Sequence, residues 1–406
     1  MKLKVLWICH FSNLEIQKKI NVRKNINEFA PWISLGVKEV QKNNEIELHI
    51  ISPHRWINRT KEFKDKNVHY HFFNPGIPWY GRHWPSFFRW DLFTNFRSNR
   101  KKISKLTKLI NPDIIHWHGA ENGYYTSSFF DLNKIFPYFI TIQGFISLGV
   151  NNKSNTDKTI KYPERKLIEI EKKILTSAKN IGVRDQIMKN EVLKYNPLIN
   201  FYWHEYFINV PEFSFENTND EKIYDIIFFS RVIKSKGIED LIIAISIIKK
   251  SIPNIKAAIV GNSNIKYIEY LNQLADKNNC SDNIDFMGFI PTQEDIYKIL
   301  KQSKIFVLPA YVGDVSGGMI ESMSRKIPVV AYKTDGIPEV NNNGHYIELA
   351  EQGDVSELAK IIQNLLENPS YAEELAKAAF VYATNRWNNQ TALNDIMNAY
   401  KSILGT

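Results

Sequence analysis

The sequence predicts an α/β protein built from doubly wound parallel sheets. Short apolar strand candidates, such as 225–230 and 305–308, alternate with stretches of helical periodicity, such as 238–251, and this alternation is typical of βαβ units. After 305–308 the chain continues through Gly317 and Gly318 into a helix start. Strand, glycine loop and helix in succession form the pattern of a Rossmann-like sheet, in which ligands bind beyond the carboxyl ends of the strands.

The length of 406 residues allows two such domains, each with a sizeable core. A polar, acidic stretch after residue 212, SFENTNDEK, is typical of a linker between domains. The predicted organisation is a first domain at 1–212, a linker at 213–223, a second domain at 224–386 and a final helical segment at 387–406.

Cysteine usage and hydropathy favour a cytoplasmic protein. The two cysteines, Cys9 and Cys280, lie far apart in the sequence, which suggests a reducing compartment. No apolar run approaches the ~20 residues of a membrane-spanning helix. The first residues, MKLKVLWICH, are typical of a first strand and contain too short an apolar run for a signal peptide.

Positive charge is concentrated in the first half of the chain. Residues 1–212 hold 33 Lys or Arg and 19 Asp or Glu, whereas the remaining residues hold 19 and 24. Residues 79–102 add three Trp and four Phe to six of these cations, a combination that suits a lipid headgroup interface. We expect an anionic partner: a membrane surface, a lipid-diphosphate acceptor or an acidic glycan. Nucleic acid is not favoured, because no recognised binding motif accompanies the charge.

A second interpretation of residues 79–102 is ordinary core packing. Leu92, Phe96, Ile103 and Leu106 have helical spacing, so their side chains would face the core while the cations face water. Both interpretations stay open at the level of sequence.

Two histidines lie at the end of the predicted strand 113–119, DIIHWHG. Alternation along a strand places His116 and His118 on one face, at the end where sites lie in open α/β sheets. A metal pair here would lack a third ligand, so we predict no metal site. Each histidine is then either a polar contact to substrate or a buried, hydrogen-bonded core residue.

Two cations flank the turn after strand 225–230. Arg231 follows the strand, and Lys236 precedes Gly237 at a helix start. Arg can contact two phosphate oxygens at once and Lys supplies a compact charge, so the pair suits a diphosphate. Solvated charges at a turn are the alternative.

The helix start after strand 305–308 offers further groups for the same ligand. The amides of Gly317, Gly318 and Met319 are candidate donors to a phosphate or a sugar. Glu321, one turn on, could accept hydrogen bonds from vicinal hydroxyls such as those of a ribose. A solvated carboxylate in the first turn of an ordinary crossover helix is the alternative.

The stretch from Pro309 to Val340, PAYVGDVSGGMIESMSRKIPVVAYKTDGIPEV, resembles the signature of the family 4 retaining glycosyltransferases of GT-B fold. In that signature two Glu residues, separated by seven positions, precede a buried strand and a GGIPE-like turn. Glu321 matches the second Glu, which binds the donor ribose in the family. The first Glu falls at Gly313, and Asp314 is the nearby carboxylate that we take as the candidate for its role.

Two further segments carry the same resemblance. FFSRVIKSKG resembles the family segment whose Arg and Lys grip the donor diphosphate, which assigns that role to Arg231 and Lys236. YFITIQG has Gln143 where the family commonly has a His that contacts the donor sugar. Gln143 can bond a hydroxyl but cannot take a proton at neutral pH, and His118 is a candidate to compensate.

The segment NIDFMGFI resembles the part of the family fold that contacts the nucleotide base. Phe289 and Ile290 are therefore candidates to flank the base, with core packing as the alternative. The resemblance also implies that the last helix, within 387–406, crosses back to the first domain.

The resemblance implies a GT-B enzyme with two Rossmann-like domains facing across a cleft. It would move a hexose-type sugar from a nucleotide diphosphate donor to a glycan or lipid-linked glycan acceptor in surface polysaccharide biosynthesis, with retention of anomeric configuration. Neither a cofactor nor a metal is implied, because the cations supply positive charge to the departing diphosphate. The expected location is the cytoplasm, including the inner face of the cell membrane as a peripheral protein.

Two other functions are compatible with these residues. One is a nucleotide-sugar epimerase of the same fold, which would act on the donor without an acceptor. The other is a non-catalytic binding protein, which Gly313 and Gln143 favour because both depart from the family signature.

Overall fold

A computed structural model describes residues 2–22, 29–75, 90–147, 162–208, 221–313 and 315–406 of the chain. The chain divides into two compact units. The first comprises Met1–Phe207 together with Asn389–Thr406, and the second comprises Ile208–Asn388. The prediction of two Rossmann-like domains is confirmed, because each unit contains a parallel or largely parallel sheet with helices packed on it.

The first unit contains an eight-stranded sheet in the order β3-β4-β2-β1-β5-β6-β7-β8. Its strands are β1 Leu3–Ile8, β2 Ile46–Pro53, β3 Lys61–Asp65, β4 Val68–Phe73, β5 Ile114–His118, β6 Tyr138–Thr141, β7 Asn180–Val183 and β8 Asn200–Trp203. Its helices are α1 Leu14–Lys19, α2 Pro31–Lys42, α3 Trp90–Phe93, α4 Arg97–Ile110, α5 Gly123–Thr126, α6 Phe129–Leu132, α7 Tyr162–Ser177 and α8 Gln186–Leu193. All strand pairs are parallel except β3 with β4.

The second unit contains a six-stranded, all-parallel sheet in the order β11-β10-β9-β12-β13-β14. Its strands are β9 Tyr224–Phe229, β10 Ala257–Val260, β11 Ile284–Gly288, β12 Ser303–Leu308, β13 Val329–Tyr332 and β14 Glu348–Ala350. Its helices are α9 Ile238–Ile248, α10 Ile265–Lys277, α11 Gln293–Lys301, α12 Gly317–Met323, α13 Val355–Glu367 and α14 Pro369–Arg386. The strand order reverses between β9 and β12, which is where ligands bind in doubly wound sheets.

The last helix, α15 Asn389–Leu404, belongs to the core of the first unit. Tyr400 on this helix is 1% exposed, and its hydroxyl accepts a 2.9 Å hydrogen bond from the indole nitrogen of Trp7 on β1. Burial of two large aromatic rings with their polar atoms paired favours this packing. The C-terminal residues are thus an integral part of the fold of the first unit.

Some local features of the structure were not predicted from the sequence. The charged segment KEFKD forms the antiparallel edge strand β3, which the sequence did not predict. Asp185 is the N-cap of α8 and accepts a 2.6 Å hydrogen bond from the Met188 amide. Among the described residues, no helix has both the length and the apolar content needed to cross a membrane.

Candidate functional site

Three loops of the second unit meet at the carboxyl ends of the neighbouring strands β9, β12 and β13. The first loop carries Arg231 and Lys236, the second carries Gly313, and the third carries Asp335. Because adjacent parallel strands end at one edge, residues far apart in sequence become neighbours there. This edge is the candidate functional site of the second unit.

The turn that carries Lys236 is fixed by backbone packing. Lys234–Lys236 form one 3-10 turn that ends at Gly237, whose φ is +70°. A Cβ at Gly237 would lie 1.8 Å from the carbonyl oxygen of Pro309, so only glycine allows the turn to pack this closely on the end of β12. The Tyr311 amide donates a 3.0 Å hydrogen bond to the Ser235 carbonyl and joins the two loops.

Lys236 points into the loop that follows β12. Its ammonium group is half-buried and donates a 3.2 Å hydrogen bond to the carbonyl oxygen of Val312. Burial lowers the pKa of Lys236 below its usual 10.5, the positive charge of Arg231 lowers it further, and Asp335 acts in the opposite direction. The structure therefore brings Arg231 and Lys236 together, as predicted, and adds one carboxylate to the pair.

The carboxylate of Asp335 is hydrogen-bonded to Gly313, the position at which this sequence lacks the acid of the family signature. The Gly313 amide donates a 2.6 Å hydrogen bond to Oδ2 of Asp335. A Cβ at Gly313 would lie 3.1 Å from Nζ of Lys236, so a side chain here would contact the ammonium group directly. Asp335 has a φ of +45°, a left-handed conformation that is uncommon for residues other than glycine. Asp314, the predicted substitute, lies outside the described residues.

The start of α12 corrects the prediction for its three amides. The hydroxyl of Ser316 caps the helix and accepts the Met319 amide at 3.3 Å, so that amide is already bonded within the protein. The Gly317 and Gly318 amides donate to no residue in the described part of the chain. Gly318 approaches β9 closely, since a Cβ there would lie 3.0 Å from the Phe229 carbonyl oxygen. Two of the three predicted amides thus have no hydrogen-bond partner among the described residues, and Gly317 is exposed whereas Gly318 is buried.

Glu321 is half-buried and only partly satisfied. Its Oε1 accepts a 2.7 Å hydrogen bond from the side-chain amide of Gln293, while its Oε2 is buried near the Tyr297 side chain without a hydrogen bond of ordinary geometry. Burial raises the pKa of Glu321 to about 7, against the smaller opposing effects of Arg325 and Tyr297. A buried carboxylate oxygen without a partner is costly, and a hydroxyl of a bound ligand would remove that cost. Gln293 as its anchor was not predicted from sequence.

Phe289 and Ile290 follow β11 at the same edge of the sheet. Phe289 is 46% exposed, which rules out core packing for this ring, and Ile290 is half-buried. The preceding Gly288 has a φ of +68°, and its carbonyl oxygen accepts the Gly261 amide at 2.9 Å. Phe289 is therefore an accessible aromatic surface of the kind on which a planar base can stack.

In the first unit, the two predicted histidines have different environments. The rings of His116 and His118 lie on one face of β5, as predicted, with centroids 3.9 Å apart. Both nitrogens of His116 are bonded, one at 2.6 Å to the Tyr400 hydroxyl and one at 3.0 Å to the Thr141 hydroxyl. His116 is thus a core histidine that ties the sheet to α15.

His118 lines a small pocket at the carboxyl ends of β5, β6 and β8. The pocket walls include Gln143, His204, Trp7 and Trp32. The Nε2 atoms of His118 and His204 are buried without a hydrogen-bond partner. Burial, together with a smaller electrostatic contribution from His204, lowers the pKa of His118 to about 3, so the His118 ring is neutral at pH 7. The sequence did not predict His204; its position directly after β8 was the available signal.

A third polar group near this edge was also missed. Glu121 follows β5, and its Oε2 is buried without a hydrogen-bond partner. Burial raises the pKa of Glu121 to about 8, so the carboxyl group is largely protonated at neutral pH. Gly119, two residues before Glu121, has a φ of +94°. A Cβ added at Gly119 would lie 2.5 Å from the Glu121 carboxylate.

Helices α3 and α4 and the residues between them pack on the core, and α4 also has a cationic face. Leu92, Phe96 and Ile103 are buried in the core, and Leu106 packs against it, which confirms core packing for these four positions. The opposite side forms a groove lined by five cations and one acid, namely Arg97, Arg100, Lys101, Lys105, Lys108 and Asp131. The aromatic residues at 79–89 lie outside the described residues.

Comparison with known proteins shows a family resemblance over the second unit. Residues 209–381 match the family model described as glycosyl transferases group 1. The amylovoran biosynthesis glycosyltransferase AmsK of Erwinia amylovora is 27% identical over 177 residues, 42% of this chain and 43% of the relative. A GDP-mannose-dependent alpha-(1-6)-phosphatidylinositol monomannoside mannosyltransferase of Mycolicibacterium smegmatis is 26% identical over 173 residues, 41% of this chain and 44% of the relative. The matched stretch spans less than half the length of either relative.

Solved structures share the fold of the whole chain. Sucrose-phosphate synthase from Thermosynechococcus elongatus superposes with a TM-score of 0.78 at 16% identity and covers 100% of both chains. Anabaena HepE in complex with UDP and glucose superposes with a TM-score of 0.69 at 15% identity and covers 98% of this chain and 100% of its own. Residues 209–381 therefore resemble the group 1 glycosyl transferases, and the chain as a whole has the GT-B fold.

Proposed function

We propose that this protein is a retaining glycosyltransferase of the family 4 type. It moves a hexose-type sugar from a nucleotide diphosphate donor to a glycan or lipid-linked glycan in surface polysaccharide biosynthesis. The observation that carries the proposal is that Arg231 and Lys236 lie near each other beside the Gly313 loop. This is the edge of the sheet where the strand order reverses between β9 and β12. The names of two matched relatives support the pathway: AmsK acts in amylovoran biosynthesis, and CapM of Staphylococcus aureus acts in capsular polysaccharide biosynthesis.

The two cations and the open amides have complementary roles toward a diphosphate. Negative charge grows on the phosphate oxygens as the bond to the sugar breaks, and donors already in place stabilise it without reorganisation. Arg231 is exposed and can approach two oxygens, whereas Lys236 is anchored on Val312 and supplies a fixed charge. Gly317 and Gly318 would add backbone donors. These groups supply the charge that a metal would otherwise provide, and the departing phosphate oxygen takes the proton of the acceptor hydroxyl.

Asp335 is the carboxylate that contacts the donor sugar in this protein. The family signature has an acid where Gly313 stands and a glycine where Asp335 stands, so acid and glycine have exchanged places between two loops. The 2.6 Å hydrogen bond from the Gly313 amide holds the Asp335 carboxylate at the loop that lost the acid. Its electrostatic effect on Lys236 places it beside the diphosphate-binding cation. A carboxylate here would repel phosphate but accept hydrogen bonds from sugar hydroxyls.

The first unit supplies the acceptor side of the reaction. His118 has a neutral ring and a buried Nε2 without a partner, and Gln143 lines the same pocket. Both side chains can bond a hydroxyl, and neither brings a positive charge at pH 7. The cationic groove on α4 suits the anionic diphosphate of a lipid-linked acceptor or an anionic membrane surface.

Gly313 and Gln143 also favour a second candidate, a GT-B protein that binds a nucleotide without transferring a sugar. Calorimetric titration with UDP and GDP, followed by incubation with UDP-sugars or GDP-mannose and a lipid-linked acceptor extract, distinguishes the two. Binding with a mass increase of one hexose on the acceptor is the expected result. Binding without any transfer supports the non-catalytic candidate, and conversion of the donor sugar without an acceptor would indicate an epimerase.

A further inference from the structure

Three histidines and two glutamates cluster on one face of the sheet in the first unit. Glu47 and His49 lie on β2, His69 and His71 on β4, and Glu62 on the edge strand β3. His49 pairs in register with His69, and His71 with Glu62, so the five side chains project from the same face. Glu47 is the second residue of β2, so the cluster begins at the amino end of the strands, opposite the edge that carries His118.

Three of these side chains bring potential ligand atoms close together. Nε2 of His49 lies 3.1 Å from Oε1 of Glu47, and Nε2 of His69 lies 3.8 Å from the same oxygen. One ligand atom from each of the three residues lies within 4.8 Å of the others. Ligand atoms about 2.0–2.2 Å from a tetrahedral zinc ion are separated by roughly 3.3 Å. The rings of His49 and His69 are stacked, with centroids 4.5 Å apart and 11° between their planes, so one ring must change its side-chain rotamer before both Nε2 atoms can bind one ion.

The remaining two residues orient the first histidine. Nδ1 of His49 lies 3.2 Å from Nε2 of His71, and Nδ1 of His71 lies 3.3 Å from Oε1 of Glu62. A metal-binding histidine characteristically donates its second N–H to an acceptor that is itself linked to a carboxylate. The row from Glu62 through His71 to His49 has that arrangement.

Counting protons along this row shows what the cluster lacks. Two neutral imidazoles carry two N–H groups, but the row from Glu47 to Glu62 contains three close contacts. When His49 donates to Glu47 and His71 donates to His49, Nδ1 of His71 has no proton for Glu62, and this buried atom makes no hydrogen bond. If a cation binds Nε2 of His49, Nδ1 of His49 carries the proton and donates to Nε2 of His71. Nδ1 of His71 then carries a proton for Glu62, so that every nitrogen in the row has a partner.

The acidic and basic side chains around the cluster cancel in formal charge before any ion is bound. Glu47 and Glu62 provide two negative charges, and Lys4 and Lys64 are the nearby cations. The lysines reduce the attraction for any cation, but coordination by imidazole nitrogen outweighs this for ions that prefer nitrogen ligands.

We propose that Glu47, His49 and His69 bind one divalent transition-metal ion, with His71 and Glu62 as positioning residues. Two imidazoles and one carboxylate suit Zn²⁺, Co²⁺, Ni²⁺ or Cu²⁺ and do not suit Mg²⁺ or Ca²⁺, which prefer oxygen ligands. The ion would join β2 to β4 near the outer edge of the sheet and stabilise the first unit. It has no part in the proposed sugar transfer.

The test is calorimetric titration of ZnCl₂ into EDTA-treated, tag-free full-length protein. One Zn²⁺ ion per chain is expected, with Co²⁺ giving the visible absorption of a tetrahedral site, a rise in Tm, and no heat from MgCl₂. His69→Ala and Glu47→Gln each remove one ligand and should weaken zinc binding by more than ~10-fold. His71→Phe, which removes the orienting partner of His49, should weaken it by about 10–100-fold.

His345→Ala is the matched control, because His345 is an exposed histidine of the second unit that pairs with Glu348. It should leave zinc binding unchanged. Each variant is first compared in EDTA, where an unaltered circular dichroism spectrum shows that it folds; Glu47→Gln keeps the shape of the side chain and serves if His69→Ala does not fold. The proposal is overturned if wild-type protein takes up no zinc, or if His345→Ala lowers the affinity as much as the three cluster variants.

Discussion

The amide of Gly313 donates a 2.6 Å hydrogen bond to Oδ2 of Asp335, and this bond joins the loops that follow β12 and β13. It places a carboxylate next to a position that has no side chain of its own and lies against Lys236. Asp335 keeps this position in spite of a left-handed backbone. A strained residue held by its surroundings at a site edge is typical of a functional position.

Asp335→Asn separates the charge of this side chain from its hydrogen bond. The amide oxygen can still accept from Gly313, so we expect the loop and the nucleotide affinity to be kept. Loss of a charge-assisted bond to a sugar hydroxyl should cost about 1.5–3 kcal/mol of transition-state stabilisation, which lowers kcat/KM roughly 10–150-fold. Transfer kinetics with calorimetry on UDP and GDP measure both quantities, and an unchanged kcat/KM would refute the role of Asp335.

Glu321 couples donor binding to stability and pH. The pKa of its carboxyl group is raised to about 7 in the folded protein from an ordinary 4.5, so the folded protein holds a proton that the unfolded chain loses between these values. Stability therefore falls as the pH rises through that window. Glu321→Gln should raise the free energy of unfolding at pH 8 by on the order of 2 kcal/mol and leave it unchanged near pH 4.

The same variant should weaken nucleotide binding, because an amide accepts the ribose hydroxyls less strongly than a carboxylate. Glu294→Gln is the control, since Glu294 is 85% exposed at its side chain on the neighbouring α11. Urea denaturation at both pH values and nucleotide titration at pH 8 measure the effects. Equal stability of Glu321→Gln and wild type at pH 8 would contradict the assigned cause.

Substitution of His116 should mainly lower stability, whereas substitution of His118 should mainly lower activity toward the acceptor. His116→Ala removes two buried hydrogen bonds and leaves the Tyr400 hydroxyl with one partner fewer, so we expect a loss of about 2–4 kcal/mol in the free energy of unfolding. His118→Ala removes a nitrogen that has no protein partner, and should lower kcat/KM for the acceptor with a smaller loss of stability. Chemical denaturation and acceptor kinetics distinguish this from a shared structural role.

The cationic face of α4 should bind anionic lipid. Changing Lys101, Lys105 and Lys108 together to Glu should abolish flotation with vesicles that contain phosphatidylglycerol, because each exposed lysine contributes about 1 kcal/mol near such a surface. A control of equal charge, with Glu at the exposed positions Lys266, Lys277 and Lys360 of the second unit, should float as wild type does. If both triple variants lose flotation equally, net charge rather than this face is responsible.

Buried strands were predictable because their apolar runs are a local signal. The six-stranded parallel sheet of the second unit follows from such runs, and so does the placement of Arg231 and Lys236 after β9. The edge strand β3 was missed because KEFKD is mostly exposed and has no apolar face. The Ser316 cap could have been read from a serine directly before two glycines, and it would have shown that the Met319 amide is occupied.

Contacts between distant loops could not be predicted in the same way. Gly313 and Asp335 are 22 positions apart, and His204 joins His118 only through the order of the strands. In each case the sequence identifies residue types, whereas the neighbour is decided by which strands lie side by side. His49 of β2 and the alternating His69 and His71 of β4 illustrate the same point, since the cluster exists only because the strands pair in register.

Nucleotide diphosphate binding by Arg231→Ala, compared with Lys234→Ala, tests the central claim most directly. Both changes remove one cation from the same short segment, but the side chain of Lys234 is 77% exposed and faces Glu239. We predict that Arg231→Ala weakens binding of UDP or GDP by about 1.5–3 kcal/mol, whereas Lys234→Ala changes it by less than ~0.5 kcal/mol. Unchanged affinity in Arg231→Ala, or equal losses in the two variants, would contradict a diphosphate site at this edge of the sheet.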